Sequence, residues 1–226
     1  MELKDILSFK RKIQLLFEYY QEYFFCKLTK VNKIKLIRKI NKIWGKLLTL
    51  EDINNLNKEL PYLKVKVNED ALFAYKSDPS YKCLEETIFT SLGLYALMVY
   101  RVSHYLYKLN IDILPRVLSE WAHSKTGIDI HPGATIGREC FIDHGCGVVI
   151  GQTAIIGNNV KIYHGVTIGA KSIKTNKEKR HPTILDNVVI YANATILGGD
   201  TIIGKNCIIG TNKLITESVL ENSKIV

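Results

Sequence analysis

The sequence lacks a Cys-x-x-Cys pair, a His-x-x-x-His pair and any long apolar run. Its five cysteines, Cys26, Cys83, Cys140, Cys146 and Cys207, are odd in number and far apart, which excludes a disulfide framework and reads as reduced thiols in a cytosolic protein. The longest apolar stretch, about Leu92 to Tyr100, falls short of the roughly 20 residues a bilayer span needs. The charged start Met1-Glu2-Leu3-Lys4-Asp5 does not lead into a signal-peptide core. A soluble, cytoplasmic protein without a membrane partner is expected. With 226 residues, 46% hydrophobic and 23% charged, the chain is neither disordered nor collagenous. It is long enough to bury a core without disulfides.

Acidic residues are scarce only at the start. The net charge is +9, and residues 1–50 hold 12 Lys and Arg against 4 Asp and Glu, whereas residues 51–226 hold 19 against 18. A basic amphipathic start is a candidate surface for nucleic acid or an anionic membrane. Nothing else in the chain supports either partner, so a solvated or oligomer-facing helix surface is expected, and no nucleic-acid binding.

Two periodicities divide the chain. Ile6, Phe9, Ile13, Leu16, Phe17, Tyr20 and Phe24, then Ile34, Ile37, Ile40, Trp44 and Leu47, recur at the spacing of a helix face. Thr49-x-x-Asp52 predicts an N-cap with an acidic first turn, and Pro61 predicts the end of that short helix. Leu92, Tyr95, Ala96, Val99, Val102, Ser103 and Leu106 trace a helix of about 18 residues. A last helix, about Ile113 to Ser124, is closed by Gly127.

From Gly127 onward a period of six takes over. Ile130, Ile136 and Ile142 are six apart, as are Ile150, Ile156, Ile162 and Ile168, then Ile184, Ile190 and Ile196, then Ile203, Ile209 and Ile215. This is the signature of a parallel β-helix, in which three six-residue faces make a triangular coil of 18 residues with the aliphatic side chain inside. All thirteen aliphatic positions are read as core, so function is sought where the register breaks. The steps are eight between Ile142 and Ile150, sixteen between Ile168 and Ile184, and seven between Ile196 and Ile203. The second expels a loop, about Ala170 to Pro182, with Lys171, Lys174, Lys177, Lys179 and Arg180 against the single acid Glu178. It is either a solvated excursion or a tool for an anionic ligand.

Titratable side chains interrupt the aliphatic coil in three places, around Asp129 to His131, at Asp143-His144 and at Lys179-Arg180-His181. Asp129 and His144 are 15 apart, close to one coil, and are expected on neighbouring coils, within reach of each other. A carboxylate that fixes a histidine tautomer makes the imidazole a general base for a hydroxyl; the alternative is a structural hydrogen bond. His144, His164 and His181 are conceivable zinc ligands, but Asp143 and Arg180 beside them suit an organic zwitterion better, and no metal is expected. His104, His123 and His131 are read as packing, capping and turn residues.

The run Asp-Ile-His-Pro-Gly-Ala (129–134), Asp-His-Gly-x-Gly-Val-Val-Ile-Gly (143–151), Gly-Val-Thr-Ile-Gly-Ala (165–170) and Lys-Arg-His-Pro-Thr-Ile (179–184) closely resembles serine O-acetyltransferase. The likeness extends back through Tyr100 to Leu106 and Asp78-Pro79, and forward through Ile196 to Gly199. It implies an α+β chain, with an N-terminal α-helical domain over 1–126 and a C-terminal left-handed parallel β-helix over 127–226. It implies acetyl transfer from acetyl-CoA to the L-serine hydroxyl, giving O-acetylserine for cysteine synthesis. By the same resemblance His144 is the base and Asp129 orients it. Asp78 and Asp143 hold the serine ammonium, and Arg180 and His181 take its carboxylate. Acetyl-CoA runs past Thr167, Gly169, Ala170 and Lys171. The resemblance further implies a homotrimer, or a dimer of trimers joined by the helical half, with sites between subunits.

The competing readings are a hexapeptide acetyltransferase for a sugar or antibiotic hydroxyl, and a silent trimeric scaffold. The former has no need of Asp78, Asp143 and Arg180 together. Two departures stand out. Gln152 occupies a position that is often Glu in relatives, and the sequence ends at Lys224-Ile225-Val226 without a Gly-x-Pro-Ala type tail. Docking to O-acetylserine sulfhydrylase, which the family makes through that tail, is therefore in doubt. Feedback inhibition by cysteine stays open, because cysteine resembles serine.

Overall fold

The computed structural model describes residues 3–172 and 178–226, with side chains from Ser8 onward. The side chain of Ile6 and both Lys174 and Lys177 lie outside the described residues. Among the described residues six helices precede fourteen short strands, and the chain divides into two compact units, Met1–Asn68 and Glu69–Val226.

The first unit is built from α1 (Leu3–Phe25), α2 (Lys30–Trp44) and most of α3 (Leu50–Ser77). Ile13, Leu16, Phe17, Tyr20 and Phe24 of α1 are buried, as are Leu36, Ile40, Ile43 and Trp44 of α2. The Trp44 indole N–H donates to the Tyr20 hydroxyl at 2.8 Å, so the one polar atom of each buried ring is partnered. Thr29 caps α2 by accepting from the Asn32 N–H. Thr49 and Asp52 cap α3 reciprocally, each side chain accepting from the other's backbone N–H.

Pro61 does not end that helix. It lies inside α3, which runs on to Ser77. A proline in a helix interior costs about 3 kcal/mol. Here it sits on the exposed face, while Leu56, Leu60, Leu63 and Val67 on the opposite face are buried, and burying each such side chain returns about 1.5–3 kcal/mol.

In the second unit, α4 (Leu84–Thr90), α5 (Leu92–Lys108) and α6 (Leu114–Thr126) lead into the coil. Gly127 ends α6 with φ +71, as its placement predicts. Glycine at 93 lets α5 lie directly on the coil, since a Cβ there would run into the Ile142 carbonyl. Where α3 and α5 meet the coil, Arg101 donates to both carboxylate oxygens of Asp70 at 2.5 and 2.8 Å and to the Gly137 carbonyl at 2.8 Å. The Cys140 N–H also donates to Asp70.

The strands form three parallel sheets, each taking one rung per coil. The first holds β1 (Asp129–Ile130), β4 (Val149–Ile150), β7 (Thr167–Gly169), β10 (Thr195–Leu197) and β13 (Leu214–Ile215). The second holds β2 (Thr135–Ile136), β5 (Ile155–Ile156), β8 (Thr183–Ile184) and β11 (Ile202–Ile203). The third holds β3 (Phe141–Asp143), β6 (Lys161–Tyr163), β9 (Val189–Ile190), β12 (Ile208–Ile209) and β14 (Lys224–Ile225). The thirteen hexad positions all lie on strands, and the Ile columns stack in register: Ile130 on Ile150, Ile136 on Ile156, Ile142 on Ile162. Twelve of them are buried in one continuous core against which Ile215 is partly buried. At the corner between the second and third sheets, Asn159, Asn187, Asn206 and Asn222 adopt positive φ and link amide to amide at 3.1, 3.0 and 2.9 Å. Asparagine tolerates this left-handed backbone better than most residues. The coil is the left-handed parallel β-helix of an α+β chain. No helix among the described residues is long and apolar enough to cross a membrane.

Candidate active site

The register breaks place the polar residues at two corners of the prism, either side of the first sheet. The corner leading from the third sheet into the first carries Asp143, at the end of β3, and His144 in the following turn. Two residues more than a six-residue step fit there because His144, Gly145 and Gly147 take φ of +56, +80 and +76. His144 is 72% exposed at its side chain, its Nε2 lies 3.6 Å from Asp143 Oδ2, and its ring meets that of His164 edge-on at 5.7 Å between centroids. One rung above Asp143 stands Tyr163, its register partner, and Tyr163 stacks on Tyr191 at 5.1 Å. Burial pushes the Tyr163 phenol above its ordinary value, and the nearby carboxylates of Asp143 and Asp78, with Tyr191, push it further. Asp143 stands one rung from that ring, and Asp78 lies just past the end of α3. Among the described residues neither is paired with Lys or Arg.

The corner leading from the first sheet into the second carries His131, Gln152, Thr153 and Lys179-Arg180-His181. His181 is only 7% exposed. The Thr153 hydroxyl oxygen accepts from the backbone N–H of Arg180 at 2.9 Å and of His181 at 3.1 Å, and the Thr153 N–H donates to His181 Nδ1 at 3.2 Å. With Nδ1 accepting, the imidazole is neutral and its Nε2 carries the proton. Burial, with Arg180 and Lys179 alongside, holds its pKa below the usual histidine value. Glycine at 151 makes room for it, because a Cβ there would collide with the His181 ring. His131 accepts from the Gly133 N–H in the same way, and burial, Arg116 and the neighbouring His181 and Arg180 push it down to about 4. It is a turn residue, as its position predicts.

Lys179 is turned inward. Its ammonium donates to the carbonyls of Thr153 at 2.7 Å, His181 and Pro182, and burial lowers its pKa. These bonds tie Lys179 to the Thr153 turn and to the two residues that follow Arg180. Arg180 has no carboxylate partner among the described residues. With Ala170, Lys171, Gly198 and Gly199 it lines a pocket of about 100 Å³. Thr167 and Gly169 lie on β7, and Lys171 packs across Gly198.

Asp129 departs from expectation in its company. It opens β1, one coil below Val149, and a hydrogen bond to His144 is not among its interactions. Among the described residues its buried Oδ1 has no hydrogen-bond partner and lies 3.5 Å from the Arg116 guanidinium of α6, which also pairs with Glu120. The spacing of 15 falls short of the local coil, which is 20 residues from Ile130 to Ile150. Glu120, His123 and Asp129 also bring ligand-type atoms within 4.8 Å of one another, but Arg116 already supplies the positive charge there. Arg116, Tyr163, Tyr191 and Thr153 were not evident as site residues from motif or period.

No protein-family model matches the chain. A curated serine acetyltransferase of Synechococcus elongatus, described as plasmid, is 46% identical over 142 residues, which cover 60% of this chain and 44% of that protein. This chain spans about half the length of the curated relatives it matches. Among solved structures, serine acetyltransferase isoform 3 of Entamoeba histolytica, in complex with cysteine, is 34% identical with a TM-score of 0.82, covering 96% of this chain and 91% of that one. Serine acetyltransferase of Brucella abortus strain S19, in complex with coenzyme A, is 27% identical with a TM-score of 0.73, covering 94% and 78%. With more than nine-tenths of the Entamoeba chain matched at that identity and TM-score, the chain belongs to the serine acetyltransferase family.

Proposed function

We propose that this chain is a serine O-acetyltransferase that moves the acetyl group of acetyl-CoA to the L-serine hydroxyl, giving O-acetylserine and CoA for cysteine biosynthesis. The observation that carries the reading is the division of charge. Among the described residues Asp78, past the end of α3, and Asp143, beside His144, have no Lys or Arg partner, while the cation Arg180 adjoins the Nε2–H donor His181. An amino-acid zwitterion needs that pairing, and a sugar hydroxyl does not.

His144 takes the serine hydroxyl proton as the oxygen attacks the thioester carbonyl. The C–S bond then breaks and the imidazolium returns its proton to the CoA sulfur, with no covalent enzyme intermediate. This reading assigns Asp129, which Arg116 now accompanies, to orienting the imidazole when the acceptor is bound. Charge on the carbonyl oxygen is met by backbone N–H groups of the coil. Acetyl-CoA lies past Thr167, Gly169, Ala170 and Lys171; a Brucella relative solved with coenzyme A supports the co-substrate. Lys174 and Lys177 lie outside the described residues.

The two sets of residues hang from different corners of one prism, with the first sheet between them. A homotrimer about an axis parallel to the prism sets one corner of each subunit against the other corner of its neighbour and completes three sites. A dimer of such trimers, joined through the helical half (1–126), in the cytoplasm, is the assembly this reading favours.

The test is release of CoA thiol from acetyl-CoA with L-serine, glycine, threonine or a sugar as acceptor. Release that depends on L-serine, with O-acetylserine as product, is expected. Release with the sugar and none with serine would move the chain to the other hydroxyl-acceptor reading.

A further inference from the structure

The first corner presents more than the two carboxylates assigned to the ammonium. Asp143 and Tyr163 are register partners on adjacent rungs of the third sheet, so their outward side chains stand on the same face one rung apart. Tyr191 occupies the next rung and stacks on Tyr163 at 5.1 Å and 27°, which fixes the Tyr163 ring from above. Asp78, just past the end of α3, is the second carboxylate assigned to the ammonium, and its charge with that of Asp143 helps hold the phenol above its ordinary value. Among the described residues the Tyr163 hydroxyl makes no hydrogen bond, although the side chain is half-buried one rung from the Asp143 carboxylate.

A primary ammonium has three N–H donors and no acceptor. Two carboxylates satisfy two of them, and the third needs an oxygen on the same side. We infer that the Tyr163 hydroxyl is the third acceptor of the substrate ammonium, so that Asp78, Asp143 and Tyr163 form a three-oxygen cradle selective for acceptors with a free primary amine. The inference rests on the serine reading above and adds a specificity-determining residue to it. Tyr163 is uncharged in this role: its lone pair accepts while its own proton turns toward a carboxylate. The stack on Tyr191 keeps the oxygen in place without a covalent or ionic tether, and the electron-rich ring beside the amine adds a favourable cation contact.

Tyr163→Phe removes the oxygen and keeps the ring, the stack and the packing. A hydrogen bond to a charged group is worth enough to raise the KM for L-serine about 10- to 150-fold on its loss. The expected result is that rise with kcat within about twofold of the parent and the KM for acetyl-CoA unchanged. Asp143→Asn in the same assay is expected to raise the serine KM at least as far. An unchanged serine KM in Tyr163→Phe, or a fall in kcat alone, overturns the cradle while leaving serine acetylation standing. A parent protein that acetylates a sugar but not serine overturns the underlying reading instead.

Discussion

Replacing His144 by alanine is expected to lower kcat for serine acetylation by about 10²- to 10⁴-fold, the usual contribution of a positioned general base, with the KM for serine changed by no more than a few fold. The side chain makes few packing contacts that its loss would damage: it is 72% exposed at the end of a turn whose backbone is set by its own positive φ and by Gly145 and Gly147. A fall in kcat without a fall in thermal stability therefore isolates the chemical role. A variant that retains more than a tenth of the parent kcat would remove His144 from the proton transfer and leave the base to be found elsewhere at the same corner, where His164 is the neighbouring imidazole.

The largest stability effect is expected at Arg101→Met. Arg101 and Asp70 are 3% and 1% exposed at their side chains, bound to each other through two hydrogen bonds. Burial pushes the Asp70 carboxyl up, and Arg101 and the Cys140 N–H pull it back. Removing the guanidinium strands a carboxylate in the interior, which costs about 3–5 kcal/mol. For a chain of this size that lowers Tm by roughly 6–20 °C. The double variant Asp70→Leu with Arg101→Met is expected to recover much of the loss, since replacing a buried pair by apolar residues is often close to neutral. A loss under about 1 kcal/mol in the single variant, by thermal or denaturant unfolding, would mean that water reaches Asp70 once Arg101 is gone.

The coil was legible in the sequence because its inward residue repeats without tertiary negotiation: each Ile column stacks on itself in register. What escaped the period was what depends on contacts far along the chain. Pro61 reads locally as a stop, but the buried leucines on the other face of α3 hold the helix through it. The helix α4 has only 7 residues and a cysteine cap, whose sulfur accepts from the Glu86 N–H, too little pattern to see. Ile225 and Val219 extend the last coils beyond the hexad runs.

Arg101 reads as one charge on an apolar helix, and only the fold shows that Asp70, 31 residues earlier, is its partner. At the site, the turn residues were found because they break the register, whereas Tyr163 keeps it. Its signal was available, since Tyr163 stands 20 after Asp143 as Ile162 does after Ile142, but the period alone gives no reason to single out an outward tyrosine. Asp129 shows the opposite limit. A spacing of 15 suggests contact with His144, while the lengthened turn sets Asp129 under Val149 and beside Arg116.

In the proposed trimer, residues at two corners of different subunits serve one acceptor. Subunit complementation tests it most directly. His144→Ala disables one corner and His181→Ala the other, so each homotrimer alone is expected to be inactive. When the two chains are co-assembled at random in equal amounts, three-quarters of the trimers are mixed and each mixed ring carries one intact site of three. Recovery to about a quarter of the parent kcat is the predicted result for a closed three-fold ring. Mixed trimers that stay as inactive as the two parents would contradict it, because sites confined to single chains are never repaired by mixing.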